Sequence, residues 1–416
     1  MLCVTLLGLL TMELGWRAVK GAPLLSWKDP VNEVGENDAQ VFSNLMGTVV
    51  YDEDLGWVPP SLTNYENLDL RFIEYGIRRN NPKTTIEHGA ILAVGDSFTN
   101  GAEVGDHQTW PAQLEAILGE PVLNGAVGGY GVDQIVLRAE KLVNTVRPKI
   151  LIIGMLDQDI LRNEYSSFGA PKPYFTNKKN QLVRHNLPVP TLSEAKSQKK
   201  SDWSILSRSY LFRDTMRIFF PTFMMKTSGQ IFETITNDPI EISCLLLKRL
   251  KTFTSKRKIP LLLVMQYGGG AAYTLDDKPA HSTTVMDCAS SLNIPTFDEF
   301  ETLQRVKEKG VNELSSHYVM HQLEPPIFGH MSEKGNGLIA EKVAGLLMKI
   351  KSDGYDFAVK ETNKHNKSSE LTNIKTSEKC LLKTKVNSRM DLPIEPRAEY
   401  RQNMNSLGKL VISSDI

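Results

Sequence analysis

The sequence predicts an α/β protein in which a parallel β-sheet is covered by helices on both faces. Short apolar segments, which we interpret as buried strands, alternate along the chain with longer segments of helical periodicity. The candidate strands are residues 91–95, 121–124, 149–154, 260–266 and 294–297. The candidate helices are residues 109–118, 132–146, 240–256, 282–292, 299–308 and 333–350. Strands that alternate with helices form parallel sheets, because each return to the sheet needs a crossover.

Five such strands predict a flavodoxin-like three-layer α/β/α sandwich with a five-stranded parallel sheet. In open sheets of this kind, ligands bind outside the carboxyl ends of the strands. Gly95, Asn124 and Gly154 each lie at that end of a candidate strand. We therefore expect the segments that follow them to converge on one site.

Composition narrows the classes of function. The chain has 416 residues, 41% of them hydrophobic, and a formal net charge of zero. This length allows one large domain with appendages or two domains. Balanced charge without a basic stripe argues against a nucleic-acid partner. The cysteines (Cys3, Cys244, Cys288 and Cys380) lie far apart without metal-ligand spacing. We expect no disulfide framework, most cysteines to be buried as small apolar residues, and neither a metal nor a cofactor.

The N-terminal segment, residues 1–17, is apolar up to Met12 and then carries Glu13 and Arg17. Spanning a bilayer takes about 20 apolar residues, which is more than this run provides. Two interpretations remain open, an amphipathic or core helix and the distal half of a truncated signal anchor. The second predicts membrane attachment at the periplasmic face of the cell envelope, and without an anchor the protein would be cytoplasmic.

The other segments flank or interrupt a main domain at residues 51–350. Residues 18–50 are predicted to form a polar linker, and residues 51–90 short antiparallel strands. Residues 165–239 interrupt the alternating pattern with a proline-rich stretch and an aromatic one. This insertion forms either a lid over the site or a helical subdomain with a packing role. Residues 351–416 are rich in Lys, Asn, Ser and Thr, which predicts a disordered tail.

The segment ILAVGDSFTNG, residues 91–101, carries the first chemical signal. A serine that follows a buried strand and is flanked by small residues is lifted from the sheet into a cleft, as in the nucleophile turn of α/β-hydrolases. Ser97 is therefore the candidate nucleophile. The alternative is that Asp96 and Ser97 only form a turn or cap the next helix.

Four segments together resemble the conserved blocks of the SGNH/GDSL hydrolases, in the order of that family. They are ILAVGDSFTNG (91–101), VLNGAVGGYGVDQ (122–134), KILIIGMLDQDI (149–160) and GHMSEKGNGLIAEKVAGLL (329–347). The resemblance covers about residues 50–350. It implies the SGNH fold, Ser97 as nucleophile, His330 as base and Gly129 as an oxyanion donor, with Gly128 as the alternative position. Relatives of this kind often carry an N-terminal anchor, which favours that interpretation of residues 1–17.

Two of the blocks depart from the family pattern. The third block lacks the family's asparagine, and Gln158 is the substitute able to donate through its amide. Asp157 and Asp159 either bind a substrate hydroxyl or cap the following helix. The family's aspartate three residues before the histidine is Ile327 here. Glu324 and Asp298 are candidate orienting acids, and the alternative is a Ser–His dyad oriented by a backbone carbonyl.

The resemblance implies a serine hydrolase that acts on an O-acyl ester of a small molecule or carbohydrate through an acyl-enzyme at Ser97. Two other functions remain open. One is an O-acyltransferase that passes the same acyl group to a cell-envelope carbohydrate. The other is a binding module on an SGNH scaffold without activity, suggested by the missing asparagine and aspartate. A fold alone does not decide among them.

Overall fold

The computed structural model describes residues 2–19, 24, 49–198, 209–212, 231–235 and 237–352. The strands are β1 (Val50–Asp52), β2 (Gly56–Val58), β3 (Thr63–Tyr65), β4 (Leu70–Phe72), β5 (Ile91–Val94), β6 (Val122–Asn124), β7 (Ile150–Leu156), β8 (Tyr165–Pro171), β9 (Tyr174–Lys178), β10 (Gln181–His185), β11 (Ile231–Thr234), β12 (Leu261–Gln266), β13 (Thr296–Asp298), β14 (Tyr318–Leu323) and β15 (Pro326–Met331). The α-helices are α1 (Leu2–Val19), α2 (Ser97–Asn100), α3 (Trp110–Leu118), α4 (Val132–Val146), α5 (Asp157–Leu161), α6 (Leu192–Gln198), α7 (Pro239–Lys256), α8 (Gly269–Thr274), α9 (Ala280–Ser291), α10 (Phe300–Lys307), α11 (Val311–Ser315) and α12 (Glu333–Ser352).

A five-stranded sheet in the order β13-β12-β7-β5-β6 forms the centre of the fold. Every pairing in it is parallel. Helices α3 and α12 pack against each other, while α7 packs against α4 and α9. The three-layer α/β/α sandwich predicted from the sequence is therefore confirmed.

The predicted strands and helices of this sandwich agree with the observed ones to within two residues at each end. The agreement has a physical reason. Strands β5, β6 and β12 are buried at every position, so they form apolar runs in the sequence, which end in Asn124 in β6 and in Gln266 in β12. Helix α4 has the predicted bounds because its buried residues repeat with the helical period.

The chain divides into two compact units. The first comprises residues 1–60, 164–176 and 183–236, and the second comprises residues 61–163, 177–182 and 237–416. The parallel sheet belongs to the second unit. The first contains the antiparallel pairs β1–β2 and β8–β11, so residues 51–60 lie outside the unit that holds the sheet.

The remaining predictions fall on the flanking segments. Strands β1–β2 and β3–β4 pair antiparallel, as expected for residues 51–90. The predicted insertion at 165–239 contains β8 to β11 and α6. The linker at 18–50 and the tail at 351–416 lie almost wholly outside the described residues. In α1, Arg17 Nε lies 2.7 Å from Glu13 Oε1. No helix in the described part of the chain has the length and apolar content needed to cross a membrane.

The cysteine prediction is wrong for one pair. Cys244 in α7 and Cys288 in α9 form a disulfide, with their Cα atoms 5.6 Å apart. The two residues are separated by 44 positions in the sequence and come together only because their helices pack side by side. Spacing along the chain carries no signal of such a pairing.

Candidate active site

Ser97 is the first residue of α2, directly after the turn that ends β5. Asp96 caps this short helix, since its Oδ1 accepts the Phe98 N–H at 2.9 Å. Gly95 allows the tight turn, because a Cβ there would collide with the Gly154 carbonyl oxygen and the Thr99 hydroxyl. The serine is thus presented at the carboxyl edge of the sheet, as predicted.

His330 lies in β15, just ahead of the longest helix of the second unit, α12. The Ser97 hydroxyl donates to His330 Nε2 across 2.9 Å, although 233 residues separate the two in sequence. The structure therefore brings the predicted nucleophile and base together. Ser332 caps α12 as predicted, because its hydroxyl accepts the Gly335 N–H at 3.3 Å. Asn336 fixes the segment further by donating to the Met331 carbonyl at 3.2 Å.

A glutamate that the sequence analysis did not identify completes the chain of hydrogen bonds. Glu103 Oε2 lies 2.8 Å from His330 Nδ1 and also accepts the backbone N–H of His330 at 2.6 Å. A carboxylate only accepts, so Nδ1 carries the hydrogen and Nε2 is free to accept the serine proton. The geometry therefore gives Glu103 the place of the orienting acid.

The two acids expected in that place make other contacts. Asp298 Oδ2 lies 2.7 Å from Lys278 Nζ, and Asp298 Oδ1 accepts the Phe300 N–H at 3.0 Å. Glu324 is exposed in the turn between β14 and β15. The prediction of Glu324 or Asp298 as the orienting acid is thus corrected to Glu103. The closeness of Glu103 to the first block in the sequence is the only signal that could have identified this acid.

The surroundings of Glu103 keep it ionised. Burial raises the pKa of Glu103, but the hydrogen bonds and charge of His330, with a smaller contribution from His321, outweigh burial and leave the pKa below its ordinary value of 4.5. Its side chain is 18% exposed. Glu103 therefore carries a negative charge across the pH range in which histidines titrate.

A buried arginine holds the loop that carries Glu103. The Arg78 guanidinium donates to the carbonyl oxygens of Asn100, Gly101 and Val104 at 2.9, 2.7 and 2.6 Å. Its Nε also donates to Asp106 Oδ1 at 3.1 Å, so the buried charge is paired. Glu103 itself has a φ of 68°, a conformation that non-glycine residues rarely adopt. These contacts offset that strain and point the carboxylate toward His330.

The glycine turn of the second block lies under the nucleophile turn. The Val127 N–H donates to the Gly95 carbonyl at 3.0 Å. A Cβ built on Gly128 would lie 3.8 Å from Ser97 Cβ, which places the backbone of Gly128 against the serine. Gly129 follows with a left-handed φ of 77°. Both glycines considered for the oxyanion position are therefore at the site, and Gly128 is the one whose contact with Ser97 is visible.

Asp159 of the third block is bound by groups within the protein. Asp159 is fully buried, and its Oδ2 accepts the Leu156 N–H at 2.9 Å, which caps α5. Its Oδ1 lies 2.6 Å from an Arg162 nitrogen. Burial and nearby Asp96 raise the pKa of Asp159 well above its ordinary value, and Arg162 opposes them. The capping alternative thus describes Asp159, and its burial argues against contact with a substrate.

Arg162 joins the first three blocks behind Ser97. One of its terminal nitrogens contacts Asp159, donates to the Tyr130 carbonyl at 2.7 Å and lies 3.5 Å from Asp96 Oδ2. Gln158, in contrast, is half-buried, and its side-chain amide makes no hydrogen bond to the described residues, whereas its backbone carbonyl accepts the Arg162 N–H. Its amide is therefore available at the edge of β7, next to the strand that carries Ser97.

Comparisons with known proteins add a likeness of fold. A scan against protein-family models and a search of curated proteins find no match for this chain. Among solved structures, the chain is similar to an acetyl xylan esterase, with 11% identity, coverage of 62% of this chain and 98% of that one, and a TM-score of 0.36. It is also similar to a protein from Desulfitobacterium hafniense DCB-2 described as lipolytic and of the G-D-S-L family. The identity is 14%, the match covers 62% of this chain and 99% of that one, and the TM-score is 0.32. A third similar structure is an acetylxylan esterase from Geobacillus stearothermophilus, with 13% identity, coverage of 67% of this chain and 100% of that one, and a TM-score of 0.35. Likeness at these identities and TM-scores carries no argument about the reaction, which has to be inferred from contacts within the site.

Proposed function

We propose that this protein is a serine hydrolase that cleaves an ester bond through an acyl-enzyme at Ser97. One observation carries the proposal: the unbroken hydrogen-bond chain from Ser97 Oγ through His330 to Glu103, with distances of 2.9 and 2.8 Å. A hydroxyl is a weak nucleophile, and an adjacent base oriented by a third group is the usual way to activate it.

The reaction follows from the positions of the hydrogens. Ser97 Oγ attacks the acyl carbon while its proton passes to His330 Nε2. His330 then protonates the departing alkoxide, the acyl–alkoxy bond breaks and the acyl group remains on Ser97. Water enters, gives a proton to His330 and releases the acid, after which Ser97 recovers its proton. Glu103 remains ionised throughout and stabilises the transient imidazolium.

The developing oxyanion needs donors, and each of the first three blocks offers a candidate. The backbone N–H of Ser97 and that of Gly128 or Gly129 are the first candidates, because the glycine turn contacts the serine. The Gln158 amide is the third candidate. Its longer side chain makes it a looser donor than the asparagine of the resembling family.

The substrate class remains that expected from the sequence, an O-acyl ester of a small molecule or carbohydrate. The complete Ser–His–Glu geometry supports catalysis over a binding module, since binding alone requires no such arrangement. Hydrolysis and acyl transfer share the acyl-enzyme, and product analysis with and without an added sugar acceptor distinguishes them.

The disulfide supports a location in an oxidising compartment such as the cell envelope. Disulfides persist there and are rare where thiols are kept reduced. If the location is instead reducing, Cys244 and Cys288 in protein taken directly from cells will both react with an alkylating reagent.

The test of the proposed function uses a fluorophosphonate, because it reacts with activated serines without requiring knowledge of the substrate. We expect one phosphonate adduct per chain, mapped by peptide mass to Ser97, and hydrolysis of short p-nitrophenyl esters by the unlabelled protein. Heat-denatured protein is the control and should take no label. A native protein that neither labels nor hydrolyses any ester in the panel would contradict the proposal.

The first mutational prediction concerns the looser donor. Gln158→Ala should lower kcat about 10-fold, less than the roughly 100- to 1000-fold lost with a fixed oxyanion donor. Gln158→Glu should lose more, because a carboxylate of the same shape repels the oxyanion. Gln158→Asn should retain or raise the rate. Steady-state kinetics on one p-nitrophenyl ester measures all three, and a silent Gln158→Ala would leave only backbone donors.

A further inference from the structure

Glu103 lies between two histidines, and only one of them contacts the serine. His330 Nδ1 is 2.8 Å from Glu103 Oε2, and His321 Nε2 is 3.0 Å from Glu103 Oε1. Both histidines belong to the antiparallel hairpin β14–β15. Each oxygen of the carboxylate therefore has its own imidazole.

Glycine at position 329 makes this arrangement possible. A Cβ there would lie 2.5 Å from Glu103 Oε2 and 2.6 Å from His321 Nε2, too close for either atom to stay in place. The carboxylate and the second imidazole thus meet over the one residue of the hairpin that has no side chain. Gly329, which precedes His330, therefore leaves the space in which the carboxylate and the imidazole meet.

We propose that His321 is a positioning residue: its Nε2, 3.0 Å from Glu103 Oε1, confines that oxygen and so holds Oε2 against His330 Nδ1. The inference rests on the proposed function and extends it to a four-residue chain, Ser97–His330–Glu103–His321. A carboxylate only accepts, so this contact favours hydrogen on His321 Nε2.

The physical need for such a residue comes from the glutamate. A glutamate side chain has several rotatable bonds, and fixing them costs conformational entropy. Glu103 sits on a loop, and its side chain is partly exposed, so rotation would carry Oε2 away from the imidazole. A second polar contact, to the other oxygen, restricts the plane of the carboxylate. His321 supplies it without touching Ser97.

The test compares His321→Ala with His321→Gln, whose amide N–H reaches nearly the position of imidazole Nε2. We expect His321→Ala to lower kcat on p-nitrophenyl acetate, and the rate of phosphonate labelling, about 10-fold, the effect of losing a polar contact to a charged group. KM should not change. His321→Gln should stay within about 3-fold of wild type, and added imidazole should restore part of the activity of His321→Ala, because the site is 28% exposed.

Two controls separate positioning from a merely structural role. His107→Ala removes another histidine of the second unit, 68% exposed, and should be silent. In a Glu103→Ala background, His321→Ala should have no further effect, because its only route to Ser97 is removed.

The outcomes are distinct. Three results with a wild-type protein that takes the label would overturn the role of His321 and leave the proposed function standing. They are unchanged activity in His321→Ala, a loss that His321→Gln does not rescue, and additive losses in the double variant. Wild-type protein that takes no label would overturn the proposed function, and the positioning role with it.

Discussion

Ser97→Ala is expected to lower kcat on p-nitrophenyl esters by about 10⁶-fold, the loss found when a triad serine is removed. The reason is that alanine leaves no atom able to form the acyl-enzyme. Within the described part of the chain, Asp96 Oδ2 at 3.4 Å is the one hydrogen-bond partner of the serine hydroxyl besides His330, so little folding energy is lost with it. The thermal midpoint should therefore stay within about 3 °C of wild type.

His330→Ala should lose nearly as much, because an oxygen nucleophile without a base is almost unreactive at neutral pH. The double variant Ser97→Ala/His330→Ala should be no slower than either single variant, since residues that act as a unit are not additive. Phosphonate labelling retained in Ser97→Ala, at a different serine, would move the nucleophile elsewhere. Independent losses in the double variant would mean that the two residues do not act together.

The sandwich could be predicted from the sequence because local patterns specify it. Strands β5 and β12 are continuous apolar runs bounded by polar or glycine residues, and the pattern of α4 repeats with the helical period. The meeting of Ser97 and His330 could be predicted because each residue is embedded in a local motif. Ser97 follows a strand with a glycine and a helix cap, and His330 precedes a helix that Ser332 caps.

The orienting acid could not be predicted in this way. Its partner, His330, lies 227 residues away, and the contact depends on a loop conformation that sequence does not encode visibly. The φ of 68° at Glu103 and the three carbonyls gathered by Arg78 aim the carboxylate, and both are results of tertiary packing. The Cys244–Cys288 disulfide escaped prediction for the same reason. Local patterns predict elements, whereas pairings between distant segments appear only when the elements are assembled.

The second large effect is expected at Glu103. Glu103→Gln keeps the shape of the side chain and removes its charge, and kcat should fall about 10⁴-fold, as when a triad carboxylate is neutralised in serine proteases. The ring nitrogen Nδ1 and the backbone N–H of His330 both donate to the same oxygen, Oε2. A glutamine can turn its NH₂ group toward Nδ1, and this stabilises the tautomer that carries its hydrogen on Nε2. In that tautomer Nε2 cannot accept the serine proton.

Two comparisons make this prediction specific. Glu103→Asp keeps the charge on a shorter stem and should lose less than Glu103→Gln. Glu324→Gln makes the same chemical change at an exposed acid of the β14–β15 turn and should leave kcat unchanged. The measurement is kcat and KM on one p-nitrophenyl ester, with KM expected to stay constant because the carboxylate stabilises charge that forms only during the reaction. A Glu103→Gln variant that keeps more than about a tenth of the wild-type kcat would lose far less than expected of a triad acid. The site would then work as a Ser97–His330 dyad, and Glu103 would only stabilise the hairpin.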